Sequence, residues 1–529
     1  MKKPRPETAI YLLLCSAMVV VTVCLLLRSS CDPDFFWHLK TGEWIWQNRE
    51  LPAQDPFNYM SRFVSEGGQR FTLTSYWISQ VLYHLICDRW GLPGIVVLKF
   101  LLALLLVAAL IKLRRGDPLV HAALVLVSLL LFYRLYLFDR PQIFSFVLYA
   151  TLLLLLEKER YSAAAPASRA AYLPVPLLML LWSNLHGGYL VGQVTITLFI
   201  ALEGLKFAHR ALQPVRPVQY RRLLIAGIAG LVASCVNPNS YHALGMALGP
   251  ASNWMKNAEY ASTVTFFREM HQPLVAIFWG ALVLAAASFL TTAGKPDITA
   301  YALLAGTGYF GFQHIRYVPF FMITALPVIG VLLSAERVTR WGRYALVAAS
   351  LSLAAFVIRD DIPSRERISL AGRVNSMIYP VRAADFIVAN NLQGNIYNTY
   401  FWGGYLIWRL GPERKVFVDG RALNPQASFE SFEISEAMAL PGQYPPLWKR
   451  LLQQRGVGYL VIPRVRSSQG KALDDVDDLR KALLEAPEWF PVFADPISLV
   501  FVLNTPEHRE VIRKYGIPKE RLLGWSPNA

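Results

Sequence analysis

Apolar stretches recur along the first two thirds of the chain, at about 9–27, 93–113, 119–138, 142–156, 173–186, 188–206, 223–236, 273–292, 298–313, 317–334 and 344–358. A helix of about 20 apolar residues spans the hydrocarbon core of a bilayer. Several of these stretches are shorter than that. Short or broken helices occur where a bundle encloses a wet cavity, so they hint at a site within the membrane. The pattern predicts a mainly α polytopic membrane bundle of about 11 transmembrane helices over residues 1–358, with a first outer loop at 28–92.

Past residue 358 the pattern changes. Charged positions become frequent and short apolar runs alternate with amphipathic ones. Strands are expected at 395–398, 416–418, 459–462 and 499–503, and helices at 383–390, 446–453 and 474–485. Strands alternating with helices predict a small α/β domain over 359–529. We find no internal repeat, and only a brief Ala-rich tract at 163–171.

Composition narrows the class. The 529 residues are 54% hydrophobic and 17% charged, which excludes a disordered chain and an ordinary soluble enzyme. A net charge of +16 could suggest nucleic acid. Here the basic residues lie mostly between apolar segments, where the positive-inside bias accounts for them, and no nucleic-acid partner is expected. The start, MKKPRPE, leads into a long apolar run with no A-x-A site after it, and reads as an uncleaved anchor with its amino end in the cytoplasm. Cytoplasmic connections then carry Lys112, Arg114, Arg115, Lys158, Arg160, Arg169, Arg210, Arg216, Arg221, Arg222, Arg337, Arg340 and Arg343. An odd helix count puts the loop at 28–92 and the region 359–529 together on the extracytoplasmic face. Five cysteines are too few for a disulfide scaffold, though Cys31 and Cys87 flank the first loop and could pair in an oxidising compartment.

The chemistry-bearing residues gather on that face. Residues 31–59, CDPDFFWHLKTGEWIWQNRELPAQDPFNY, place Asp32 and Asp34 just beyond the first apolar stretch. A solvated loop with an interfacial aromatic belt would read the same by spacing alone. Further outer junctions carry Asp139 and Arg140, then Asn184 and His186 in WSNLHGGY, then Glu259, and finally His314 and Arg316 in QHIRY. Each has a local reading: Asp139 and Arg140 neutralise one another, His186 sits in an ordinary turn, Arg316 snorkels to the interface. Polar groups converging from separate helices on one face argue instead for one cavity. The chain has no H-E-x-x-H, Walker loop, G-x-S-x-G or paired C-x-x-C. A carboxylate, arginines and aromatic rings suit transfer of a sugar from a phosphate-linked lipid. The carboxylate deprotonates or orients the acceptor, arginine holds the leaving phosphate, and rings stack on the sugar.

The arrangement resembles the GT-C superfamily of integral-membrane glycosyltransferases, which use polyprenyl-phosphate or polyprenyl-diphosphate sugar donors. Asp34-Phe35-Phe36-Trp37-His38-Leu39-Lys40 is similar to the Asp-x-aromatic-aromatic-His-x-basic motif of archaeal oligosaccharyltransferases, and Asp55-Pro56-Phe57 also fits that loop. WSNLHGGYLVG and NTYFWGGYLIWRLGPERKVFVDGR look like motifs of bacterial GT-C-like membrane proteins. The second is similar to the WWDYGY segment with which oligosaccharyltransferases recognise an acceptor sequon, but Trp402-Gly403-Gly404-Tyr405 lacks its aspartate and one tryptophan. The resemblance implies Asp34 as the catalytic carboxylate, with Asp32 and His38 in support. It implies Arg316 and His314 on the donor phosphate, and Trp37, Asp55, His186, Trp402, Tyr405 and Arg421 against substrate. Oligosaccharyltransferases bind a divalent metal, magnesium or manganese, for which Asp34, Asp139 and Glu259 would stand here, with Gln142 where a further carboxylate is expected. Other branches work without metal. The implied partners are a polyprenyl-phosphate-linked sugar, membrane lipid and a lipid, polysaccharide or protein acceptor. The implied location is the bacterial inner membrane. A transporter, flippase or assembly partner for lipid-linked glycans is the rival reading, since intramembrane charges serve transport equally well. The absence of an obvious inverted repeat weighs against it.

Overall fold

In the computed structural model of the protein, each of the eleven apolar stretches lies mostly on a helix over its described residues. The structure describes residues 6–26, 32–64, 66–135, 140–161, 172–208, 212, 214–243, 261–291, 297–335, 338–361, 374–376, 378–464 and 475–523. Six helical segments are long and apolar enough to cross a bilayer: Glu7–Cys24, Trp77–Lys112, Tyr189–Ala208, Pro273–Thr291, Ile315–Ser334 and Arg340–Arg359. Pro118–Tyr133 and Pro174–Leu185 are apolar but shorter. Among the described residues these six segments meet the length and composition of a span. The chain is a multi-pass membrane protein.

The described residues divide into two units. The first takes in 1–29, 89–247 and 256–370 and is a helix bundle. Pro118–Leu135 packs on Pro6–Leu26, Val318–Ser334 and Arg340–Asp361, while Gln142–Tyr161 packs on Pro174–Leu185 and Pro217–Ala233. Leu12, Leu105, Leu181, Val283 and Leu290 are exposed, as lipid-facing side chains of a bundle should be. At one end of the bundle a buried ionic network joins three helices. Arg160 and Lys206 both bind Glu203, which is wholly buried, and both bind Asp297, the N-cap of Ile298–Gln313. Opposite charges in equal number let these groups leave water together.

The second unit takes in 30–88 and 371–529. Its sheet has the order β1-β2-β4-β3, with β1 Asn395–Asn398, β2 Val457–Pro463, β3 Trp489–Ala494 and β4 Ser498–Leu503. β1 and β2 are parallel and need the long crossover through residues 399–456; the other pairs are antiparallel. β2 is buried along its whole length, as a central strand requires. Tyr397, Leu460, Ile462 and Phe501 from the sheet meet Trp448 and Leu483 from the covering helices in the core. Expected strands at 395–398, 459–462 and 499–503 and helices at 383–390, 446–453 and 474–485 are present within a few residues. The strand expected at 416–418 is a single parallel bridge of Val416 to Asn58.

The stretch expected as a loop at 28–92 is largely helical. Asp32 caps Pro33–Asn48, its carboxylate accepting from the Asp34 N–H at 3.0 Å, and Pro33 stands at the first turn. Phe35, Phe36, Leu39 and Ile45 are buried on this helix at helical spacing. The helix Trp77–Lys112 breaks at Gly91 (φ 63°), a left-handed conformation that suits glycine, with Pro93 just beyond. Its residues to Asp88 belong to the second unit and those from Arg89 to the first. Cys31, and with it the expected pairing to Cys87, lies outside the described residues.

Candidate active site

In the second unit, Asp34 sits in the first turn of Pro33–Asn48 and is 7% exposed. A helix N-terminus favours a negative charge at this place. The opposite wall is backbone: a Cβ on Gly420 would collide with Asp34 Oδ1. Trp37 and His38 follow one turn along, both buried, with ring centroids 3.5 Å apart. Gln80 Nε2 lies 3.2 Å from His38 Nδ1, and its donated proton makes Nδ1 the acceptor and leaves hydrogen on Nε2. The Trp37 indole N–H is buried without a hydrogen-bond partner among the described residues. Leaving such a donor unpaired costs about 1–3 kcal/mol.

Beside these lies a fully buried clasp. Arg421 donates from both terminal nitrogens to Asp55, at 2.8 and 2.8 Å, and from Nε and Nη2 to Asp419, at 2.7 and 2.9 Å. Its guanidinium lies 5.8 Å from the ring centroids of both Trp37 and Phe57. Asn58 Nδ2 donates to Asp419 at 2.9 Å, and Asp55 is further fixed by the Phe57 N–H and the Gln69 side chain. Two carboxylates share one guanidinium. Burial raises the carboxyl of Asp55 above the ordinary range, against the opposing pull of Arg421. Burial acts likewise on Asp419, but there Arg421 and Asn58 win and hold it down.

A depressed folded-state value contributes stability above the unfolded carboxylate range, about pH 4, and that contribution is lost as pH falls through the folded value. Asp55 acts in the opposite sense, since its burial favours the protonated form. We therefore expect the second unit of an Asp55→Asn variant to lose stability only below about pH 4, read as its melting temperature in detergent against pH. A fall that begins near neutrality would contradict the assignment.

Two consecutive glycines explain the closeness of these walls. A Cβ on Gly403 would collide with the Val418 carbonyl, and one on Gly404 with the Pro33 carbonyl. The helix Tyr400–Leu410 therefore lies directly against both the 418–420 loop and the start of Pro33–Asn48. Gly404→Ala overpacks backbone against backbone, and about 1–3 kcal/mol of destabilisation is expected, checked by thermal unfolding. Trp402 donates its indole N–H to the Ile378 carbonyl at 2.9 Å, and Tyr405 is buried among Phe36, Tyr379 and Trp408. Both rings, expected against substrate, pack inside the unit.

The remaining expected residues lie in the first unit. His186 ends Pro174–Leu185, and its Nδ1 accepts from the Gly188 N–H at 2.9 Å and the Ser145 hydroxyl at 2.6 Å. The Trp182 indole N–H donates in turn to Ser145 at 2.7 Å. Hydrogen therefore resides on Nε2. The charges of Arg316 and Arg140 both act on the His186 ring. Arg316 and His314 occupy the turn after Ile298–Gln313, and the Arg316 guanidinium lies 5.8 Å from the Tyr317 ring centroid. Asp139 and Glu259 lie outside the described residues. Among the described residues no three His, Cys, Asp or Glu side chains are grouped to hold a metal, so Asp34 alone of the expected ligands is in view.

Sequence reasoning missed Asp419, Gly420, Asn58 and Gln80. Asp419 and Gly420 adjoin Arg421 in the VFVDGR run, a local signal that was readable. Gln80 and Asn58 carry no such mark, because their partners are distant in the chain.

No protein-family model and no curated protein sequence matches the chain. Solved structures do. The oligosaccharyltransferase of Archaeoglobus fulgidus in its apo form gives a TM-score of 0.55 at 10% identity, over 94% of this chain and 74% of that one. Archaeal oligosaccharyltransferase AglB from Archaeoglobus fulgidus, in complex with an inhibitory peptide and a dolichol-phosphate, gives 0.55 at 10% identity over 91% and 73%. Arabinofuranosyltransferase AftD from Mycobacteria gives 0.53 at 16% identity over 94% and 40%. The chain shares its fold with these oligosaccharyltransferase and arabinofuranosyltransferase structures.

Proposed function

We propose that this protein is a membrane glycosyltransferase that moves a sugar or glycan from a polyprenyl-(di)phosphate donor to an acceptor on the extracytoplasmic face of the bacterial inner membrane. The observation that carries this reading is the buried carboxylate of Asp34, held between a helix N-terminus and Gly420, in a chain with this fold. Asp34 accepts the proton of an acceptor hydroxyl. The hydroxyl oxygen forms a bond to the anomeric carbon, and the bond from that carbon to the phosphate oxygen breaks, its electron pair leaving with the lipid phosphate. The unpaired Trp37 N–H is suited to a sugar hydroxyl, whose binding would satisfy it. Asp32 serves Asp34 as the cap of its helix, and His38 Nε2–H is a second donor beside Trp37.

In the first unit, Arg316, Arg140 and the His186 Nε2–H make a cationic, donor-rich cluster suited to a phosphate, with His314 beside it. The region 371–529 contributes to acceptor binding. Mass spectrometry of cell-surface glycans from a deletion strain tests the reading: loss of a defined sugar, restored by wild-type protein and not by Asp34→Asn, is expected. An unchanged glycan profile would reject it.

A further inference from the structure

The 418–420 loop meets Asp34 through backbone. Gly420 faces its Oδ1 at a distance that excludes any side chain. The residues on either side of Gly420 are the two partners of the buried clasp, Asp419 and Arg421, and both are tied to the 55–58 segment. The loop is pinned from other directions as well. Tyr400 Oη donates to the Gly420 carbonyl at 3.2 Å, and the Ala422 N–H donates to the Asp419 carbonyl at 3.0 Å. That turn holds Ala422 at φ 47°, a left-handed conformation uncommon for a residue with a Cβ. A Cβ on Gly403 would come within 2.6 Å of Asp419 Cα, so the helix Tyr400–Leu410 backs the loop from behind. Through Gly404 the same helix abuts Pro33, the residue next to Asp34.

We propose that the loop 419–421 is the positioning element of the catalytic carboxylate: the Asp55, Arg421 and Asp419 clasp sets Gly420 against Asp34, and Arg421 and Asp55 do not touch substrate. This rests on the reading of Asp34 as the catalytic base. The side chains of Arg421 and Asp55 are wholly buried and already bonded to one another, which leaves them no face for a sugar. A fixed clasp serves this purpose well. Misplacing a reacting group by about 1 Å can cost about 10²-fold in rate.

The test uses the full chain in detergent or proteoliposomes, with two variants and two readouts. Gly420→Ala pushes the Asp34 carboxylate aside, and kcat for sugar transfer is expected to fall by about 10²-fold while KM for the lipid donor stays within about twofold. Arg421→Lys keeps the charge but loses the planar fork that spans two carboxylates, so kcat falls by about tenfold with KM again unchanged. The second readout needs no turnover: carbodiimide labelling of Asp34, followed by peptide mass spectrometry, is severalfold faster in both variants than in wild type. A raised KM at unchanged kcat in Arg421→Lys would mean that Arg421 contacts substrate, and would overturn the proposal. Unchanged kcat and unchanged labelling in both variants would do the same. If wild-type protein transfers no sugar, the catalytic reading of Asp34 fails, and the labelling rates alone decide whether the loop positions it. Should Gly420→Ala not fold, Arg421→Lys carries both readouts.

Discussion

Asp34→Asn lowers sugar transfer by about 10²–10⁴-fold and leaves the thermal stability of the purified protein nearly unchanged. The amide keeps the shape of the carboxylate but cannot take up the acceptor's proton. The lost charge at the helix N-terminus is worth only about 0.3–1 kcal/mol, and the Asp32 cap is untouched. Asp32→Ala gives the opposite profile. It removes a cap worth about 1 kcal/mol and affects transfer only as far as the first turn loosens. Steady-state rates and melting curves for the two variants separate a catalytic carboxylate from a structural one. Wild-type turnover in Asp34→Asn would end the assignment.

Arg421→Ala has the largest expected effect on stability. It strands two carboxylates, on Asp55 and Asp419, that are buried and share that one guanidinium. Breaking a buried ion pair on one side costs about 3–5 kcal/mol, a large share of the about 5–15 kcal/mol that holds a typical domain folded. The second unit should become protease-sensitive at temperatures where wild type resists. The six candidate spans hold their own apolar contacts and should still insert. Limited proteolysis with mass mapping checks this, and cleavage confined to the ionic network of the first unit would contradict it. The double variant Arg421→Met, Asp55→Leu should recover little, since Asp419 remains buried and charged.

How much of this was readable in the chain differs from element to element. The apolar stretches gave the helices of the bundle well, because a lipid-facing helix must be apolar around most of its surface and the signal is long. Their number as spans was less readable, since Gln142–Tyr161 carries Glu157, Lys158, Glu159 and Arg160 in its last turns and apolar length alone cannot say where the bilayer ends. The helix Pro33–Asn48 lies where aromatic residues suggest an interface belt and a loop. The Asp32-Pro33 cap and the spacing of Phe35, Leu39 and Ile45 were the signal that the aromatics obscured. The strand β3 escaped notice because Pro491 interrupts it, where the register shifts between Pro491 and Phe493.

Among the site residues, Asp34 stood out by its place next to the first apolar stretch. Arg421 and Asp55 stand out through the resemblance, as residues against substrate. Nothing local shows that two residues 366 positions apart will pair with each other. Trp402 and Tyr405 were read by analogy of motif. The glycines between them turn out to carry the structural consequence, since each lets backbone meet backbone. Residue type and spacing identify candidates for chemistry; only the fold says which of them face each other.

The account stands most directly on the fate of the donor. Purified wild-type protein in proteoliposomes, supplied with a panel of polyprenyl-phosphate sugars and a cell-envelope acceptor extract, should convert the ³¹P resonance of one donor from phosphodiester to phosphomonoester, and Asp34→Asn should not. A donor that stays an intact phosphodiester in every case, while moving from one leaflet to the other, would contradict sugar transfer and establish the chain as a lipid-glycan transporter.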